Sequence, residues 1–186
     1  MAGAFEIFKA VALIMTDLDS LERIIREIIA DYAKQNCVYL ELRSTPKALL
    51  IDRLTGTKGS MKDYIDRILK AIKEGEAEEG KNIRVRYIAS VNRGASIEQA
   101  REIIDLAIQY KKDNEPYLVG VELSGDPRVG KFSDFKDIFI RAKEEGDLKV
   151  SLHCAELPEQ AKETPEMLDF KPNRLGHCIY MVTIGL

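Results

Sequence analysis

Histidine is the scarcest chemistry-bearing residue in this chain: 186 residues hold two, His153 and His177. There is no His-x-His and no Cys-x-x-Cys, so no zinc site is built from neighbouring ligands. The three cysteines, Cys37, Cys154 and Cys178, are odd in number and widely spaced, each in or beside an apolar run. They read as reduced, buried thiols, not as a disulfide frame, which points to the cytoplasm. The 28 Lys and Arg nearly cancel the 31 Asp and Glu, leaving a net charge of -3. That balance excludes a nucleic-acid binder working by bulk phosphate neutralisation, while a small anion held by one or two cations stays possible. No apolar run approaches the roughly 20 residues that span a bilayer, so no membrane contact is expected. A glycine-rich phosphate loop is also missing. At 45% hydrophobic, the chain has enough apolar residues for a core and reads as a single domain over 1–186.

What the chain has in quantity is alternation. Between residues 2 and 35 the apolar positions recur at helical spacing, with Phe5, Phe8 and Ala12 on one face and a second stripe through Leu21, Ile24, Ile25, Ile28, Ile29 and Tyr32. The polar run 16–20 between them predicts two scaffold helices. Strands are predicted at 37–43, 83–91, 118–123, from 148 onward, and near Arg174; the first stops at Ser44-Thr45-Pro46 because proline cannot extend a ladder. Amphipathic helices are predicted at 61–74, 97–110 and 132–145, with a short one at 163–170, and Ser96 with Gln99 has the spacing of a capping box. Residues 56–60 read as a loop and the acidic run 74–79 as a solvated helix end.

Five βα repeats joined by short connections predict parallel strands. Every predicted strand ends in residues able to face a ligand: Ser44 and Thr45, Asn92, Gly125 and Asp126, His153 and Glu156, and His177. An open sheet gathers such groups at one switch point, whereas a barrel collects them from all its strands, so the pattern favours a barrel. Five strands do not close an eight-stranded ring. The expected fold class is therefore α/β, a partial TIM (β/α)8 barrel. Its chemical centre is the run 149–156, Lys-Val-Ser-Leu-His-Cys-Ala-Glu. A histidine at a strand tip can bind a metal, and a carboxylate three residues on can hold or deliver a proton. Either histidine would equally serve as a packed, hydrogen-bonded core residue.

Four runs taken in order carry a resemblance: 39–47 (Tyr-Leu-Glu-Leu-Arg-Ser-Thr-Pro-Lys), 121–127 (Val-Glu-Leu-Ser-Gly-Asp-Pro), 152–156 (Leu-His-Cys-Ala-Glu) and 174–177 (Arg-Leu-Gly-His). Over about residues 5 to 178 they resemble the adenosine deaminase family, and within it the N6-methyl-AMP deaminase branch, marked by Leu-Arg-Ser-Thr-Pro-Lys. The resemblance implies a barrel of the metal-dependent hydrolase type, with this chain carrying the family's second to sixth strands. It implies hydrolytic deamination of a purine nucleotide at C6, turning N6-methyl-AMP into IMP and methylamine. One Zn2+ is implied as cofactor, with His153 as a ligand. Glu156 is implied to protonate purine N1, and His177 to orient and stabilise the attacking hydroxide. Gly125 would lie against the substrate, and Ser44, Thr45, Pro46, Lys47 and Asn92 would contact the nucleotide, Lys47 at its 5′-phosphate. Zinc makes water acidic enough to ionise near neutral pH, and an aromatic C6 resists attack until N1 is protonated. The implied partner is a small purine nucleotide, bound by a monomer.

The family's first strand carries His-x-His, and a later Asp-Asp pair supplies another ligand and a substrate contact. This sequence has neither pair, and Cys178 stands where the family has glycine. The expectation is a chain truncated at both ends that alone binds little zinc, turns over no substrate and is poorly stable. The alternatives are a non-catalytic form that binds a nucleotide weakly or associates with a partner, and a different metal-dependent amidohydrolase or phosphoesterase. The latter needs further ligands, such as a carboxylated lysine, for which no candidate is present.

Overall fold

The computed structural model describes residues 7, 10, 11, 13–80 and 82–181. Its elements are α1 (Leu18–Lys34), β1 (Tyr39–Ser44), β2 (Leu50–Asp52), β3 (Thr57–Lys58), α2 (Met61–Glu78), β4 (Arg84–Asn92) and α3 (Ile97–Lys112). There follow β5 (Leu118–Ser124), α4 (Phe132–Gly146), β6 (Lys149–Cys154), a 3-10 turn at Pro158–Glu163, α5 (Thr164–Phe170) and β7 (Arg174–His177). Five parallel strands form one sheet in the order β1-β4-β5-β6-β7, and β2 with β3 forms an antiparallel pair. Of the first predicted N-terminal helix, residues 7, 10, 11, 13 and 14 are helical, while Phe5, Phe8 and Ala12 lie outside the described residues. No helix among the described residues is long and apolar enough to cross a membrane.

By its contacts the chain divides into two compact units. The first comprises Met1–Leu42 and Pro46–Tyr87. Here α1 starts where the polar run predicts, because Asp17 Oδ1 accepts from the Ser20 N–H at 2.8 Å. Burial raises the Asp17 pKa, but the Arg53 guanidinium and the Ser20 N–H outweigh it, so the net shift is downward. Of the expected stripe Leu21, Ile25 and Ile29 are buried, Ile28 is half-buried and Ile24 and Tyr32 are exposed, because the buried face is narrower than the apolar one; Ile65, Ile68 and Ile72 of α2, which packs on α1, are buried. Two corrections to the sequence expectation fall in this unit. First, α2 runs on to Glu78, and the acidic run is more than a solvated end: Glu76 accepts from the Val85 N–H and from Arg86 at 3.1 Å. Second, the expected loop at 56–60 contains β3, paired with β2.

The second unit comprises Arg43–Thr45 and Ile88–Leu186. Within it β5 and β6 pair in parallel from Gly120↔Lys149 to Leu123↔Leu152, and β6 and β7 from Ser151↔Arg174 to Cys154↔His177. β5 is buried along nearly its whole length, as expected of a parallel strand covered on both faces. The predicted capping box opens α3: Gln99 N–H donates to Ser96 Oγ at 3.2 Å and Ser96 N–H to Gln99 Oε1 at 3.1 Å. α3 and α4 pack together, burying Ile104 and Phe139 completely. The 3-10 turn after β6 is an element that periodicity does not reveal, since its six residues are too few to carry a repeat. Arg93, fully buried just past β4, ties this turn down by donating from Nη2 to Glu163 Oε2 at 2.9 Å. The same carboxylate oxygen accepts from the Phe132 N–H at 3.3 Å, at the start of α4.

Candidate functional site

The register of β6 and β7 sets the site. His153 lies beside Gly176, and Cys154 beside His177. Glycine at 176 leaves space for the His153 ring, whose Cδ2 would lie 3.2 Å from a Cβ there. The two imidazoles meet edge to face, with centroids 4.8 Å apart and planes at 90°. Glu156 Oε2 stands 3.5 Å from His177 Nε2. One donor atom from each of His153, Glu156 and His177 falls within 4.8 Å of the others, and no other such cluster of three occurs among the described residues.

The backbone reaches this arrangement through strain. Ala155, between His153 and Glu156, has φ +47°, while His177 and Cys178 have φ +61° and +59°. Each is an L-residue in the left-handed region, a conformation that persists only where surrounding contacts hold it and one that concentrates at functional sites. The holding contacts are visible. The Cys178 N–H donates to the Cys154 carbonyl at 2.9 Å, and the Tyr180 N–H to the Ala155 carbonyl at 3.0 Å. Burial pushes the Cys154 thiol pKa up, and its Sγ lies in the core 3.6 Å from Thr164 Oγ1. All three cysteines are free, but Cys154 alone is buried; Cys37 and Cys178 are half-buried, against the expectation.

Beneath His153 lies a charged network. Glu122, on β5 opposite Ser151, accepts from Ser151 Oγ at 3.2 Å and from Arg43 Nη1 at 2.8 Å. Arg43 Nη1 also stands 2.7 Å from His153 Nε2. The same Nε2 stands 3.4 Å from Glu122 Oε1, so it lies between a guanidinium that donates and a carboxylate that accepts. Burial raises the Glu122 pKa, but the His153 and Arg43 side chains outweigh it and the net shift is downward. Two imidazoles and a carboxylate are the donor types zinc uses, and their convergence fits a metal. A metal on His153 Nε2 would require Arg43 to release that nitrogen, and Glu122 remains as its partner when it does.

The other expected site residues are placed as follows. Ser44 ends β1 and Thr45 follows it, both half-buried in the second unit. Pro46 and Lys47 belong to the first unit; Pro46 is buried, and burial lowers the Lys47 pKa. Asn92 is the last residue of β4, and its Oδ1 accepts from the Gly94 N–H at 2.8 Å. Gly125 has φ +104°, and a Cβ there would lie 2.6 Å from Asn92 Oδ1, so the fold itself requires glycine. Glu122, Arg43 and Gln160 are neighbours of the cluster that sequence reasoning missed. The signal for Glu122 was available, as a charged residue inside the apolar run of β5. Arg43 lies within a quoted motif, but nothing local tells which side chain it meets.

Parallel strands alternating with helices, with a histidine near the C-terminal end of each of two strands and a carboxylate just past one of them, define an α/β partial barrel carrying a His/Glu/His donor cluster. An adenosine deaminase family model matches residues 4–183, and the chain belongs to that family. It is 34% identical over 177 residues to N6-methyl-AMP deaminase of Homo sapiens, an alignment covering 95% of this chain and 48% of that protein. The apo structure of N6-methyl-AMP deaminase from Arabidopsis thaliana matches with TM-score 0.80 and 36% identity over 95% of this chain and 51% of that one. Arabidopsis ADAL complexed with IMP matches with TM-score 0.78 and 35% identity over 94% and 50%. The chain spans about half the length of the curated relatives it matches. The expected partial (β/α)8 barrel and the expected family are thus both found.

Proposed function

We propose that these residues belong to the active site of a purine-nucleotide deaminase that converts N6-methyl-AMP and water into IMP and methylamine. The observation that supports it most is the convergence of His153, Glu156 and His177 donor atoms within 4.8 Å, in a chain of the adenosine deaminase family. Glu156 carries a proton to purine N1, which makes C6 electrophilic. His177 orients the attacking water and takes up its charge. His153 holds Zn2+, which when bound supplies a water acidic enough to ionise near neutral pH. Ser44, Thr45 and Asn92 contact the nucleotide, and Gly125 lies against the base. Pro46 and Lys47 follow Thr45 in sequence, and Lys47 neutralises the 5′-phosphate. That IMP is bound to the Arabidopsis relative supports a nucleotide ligand. The free cysteines support a reducing compartment, the cytoplasm.

One observation favours a second reading for the chain on its own, a form that binds a nucleotide without turning it over. Arg43 occupies His153 Nε2, and the sequence has no His-x-His or Asp-Asp pair. Calorimetric titration with N6-methyl-AMP, with and without zinc, tests both readings alongside chromatographic detection of IMP. The expected outcome is nucleotide binding, weakened by Glu156→Gln, with well under one zinc per chain and no IMP. Stoichiometric zinc with IMP production overturns the non-catalytic reading. No binding at millimolar nucleotide removes both.

A further inference from the structure

Gln160 is a buried polar side chain that the deaminase chemistry leaves unused. It is 3% exposed, in the 3-10 turn that follows the site loop. Its Oε1 accepts from the Glu156 N–H at 2.9 Å, and its Nε2 donates to the His153 carbonyl at 3.5 Å. One side-chain amide therefore spans Ala155, the left-handed residue, bonding the backbone of Glu156 directly after it and of His153 two positions before it. The contacts from Cys178 and Tyr180 hold the carbonyls of Cys154 and Ala155, not the Glu156 N–H.

We propose that Gln160 is the positioning residue that sets Glu156 and His153 in register with each other. The inference rests on the reading of Glu156 as the proton donor. Removing the amide leaves the Glu156 N–H without its partner and frees Ala155 to return to the extended region that L-residues favour. That rotation swings the Glu156 side chain away from His177 and slackens the His153 ring. Gln160 thus acts through Glu156 and does not touch the substrate.

The test is made by NMR on the whole chain. Gln160→Met keeps the length of the side chain and removes both hydrogen bonds. Ile138→Val in α4 is the control, a mild core loss away from the loop. Gln160→Met is expected to raise hydrogen exchange at the Glu156 amide by about tenfold more than at neighbouring β6 amides, a local opening. It is also expected to abolish the cross-peak between the His153 and His177 rings, and the control is expected to change neither. If Gln160→Met fails to fold, Gln160→Glu reads the same signals, because it retains the acceptor and loses the donor. It is expected to keep the Glu156 protection and weaken the ring cross-peak. A substituted chain in which both signals stay as in the unaltered chain overturns the proposal. The deaminase reading falls by a different result: Glu156→Gln leaves nucleotide affinity unchanged while the ring cross-peak is intact.

Discussion

Replacing Glu163 by glutamine isolates a large energetic term next to the site. Arg93 is fully buried, its Nε and Nη1 have no partner, and its charge is met by Glu163 Oε2 at 2.9 Å. At an effective dielectric constant of 20, unit charges 4 Å apart attract by about 4 kcal/mol, and breaking a buried pair by removing one partner typically costs about 3–5 kcal/mol. Glutamine keeps an acceptor for Arg93 and for the Phe132 N–H, so Glu163→Gln belongs near the lower end, about 3 kcal/mol. For a chain of this size that corresponds to a melting temperature lower by about 6–12 °C. The physical claim is that the loss comes from stranding a buried cation, and it makes a sharper prediction. Arg93→Met combined with Glu163→Gln removes the stranded charge, so the double variant is expected to be more stable than the sum of the single losses by about 1–3 kcal/mol. The chain has no tryptophan, so urea unfolding is followed by far-ultraviolet circular dichroism. A Glu163→Gln loss below about 1 kcal/mol, or strict additivity in the double variant, refutes the reasoning.

Two further outcomes follow from the same structure. Asp17→Ala removes the α1 cap and is expected to cost about 1–2 kcal/mol at neutral pH. The folded-state pKa of Asp17 lies below the unfolded value, so its contribution is full above about pH 4 and fades as pH falls through the lowered folded value. Urea midpoints measured down the pH scale should therefore show the gap between variant and unaltered chain closing in acid, and a gap constant into strong acid contradicts this. Gly125→Ala forces a Cβ to within 2.6 Å of Asn92 Oδ1 at φ +104° and is expected to cost about 1–3 kcal/mol. Asn92→Gly in the same chain should recover the steric part, read as a partial return of the thermal midpoint; no recovery would mean that the backbone angle alone is responsible.

Much of the fold was legible because it is written in local patterns. The helix starts at Asp17, Ser60 and Ser96 follow from side chains that satisfy the amide donors of their own first turns. The strands at 84–92, 118–124 and 149–154 follow from apolar runs closed by turn residues. The boundaries moved where a longer-range bond overrode the local pattern, as when Glu76 accepted from Val85 and Arg86 and α2 continued through its acidic run. The hairpin of β2 and β3 was hidden because strands of three and two residues carry no readable period.

The sequence by itself determined the order of the five parallel strands and the helices between them, the family, and the presence of His153, Glu156 and His177 at strand ends. A strand tip is a local feature and the motifs are short. The tertiary structure alone decided that the two imidazole rings meet edge to face, that Arg43 reaches His153 across 110 positions of sequence, and that Gln160 braces the left-handed turn between acid and imidazole. The physical reason is that one hydrogen bond or ring contact depends on strand register and backbone dihedrals set by many residues together, and no local pattern of side-chain types encodes that distance.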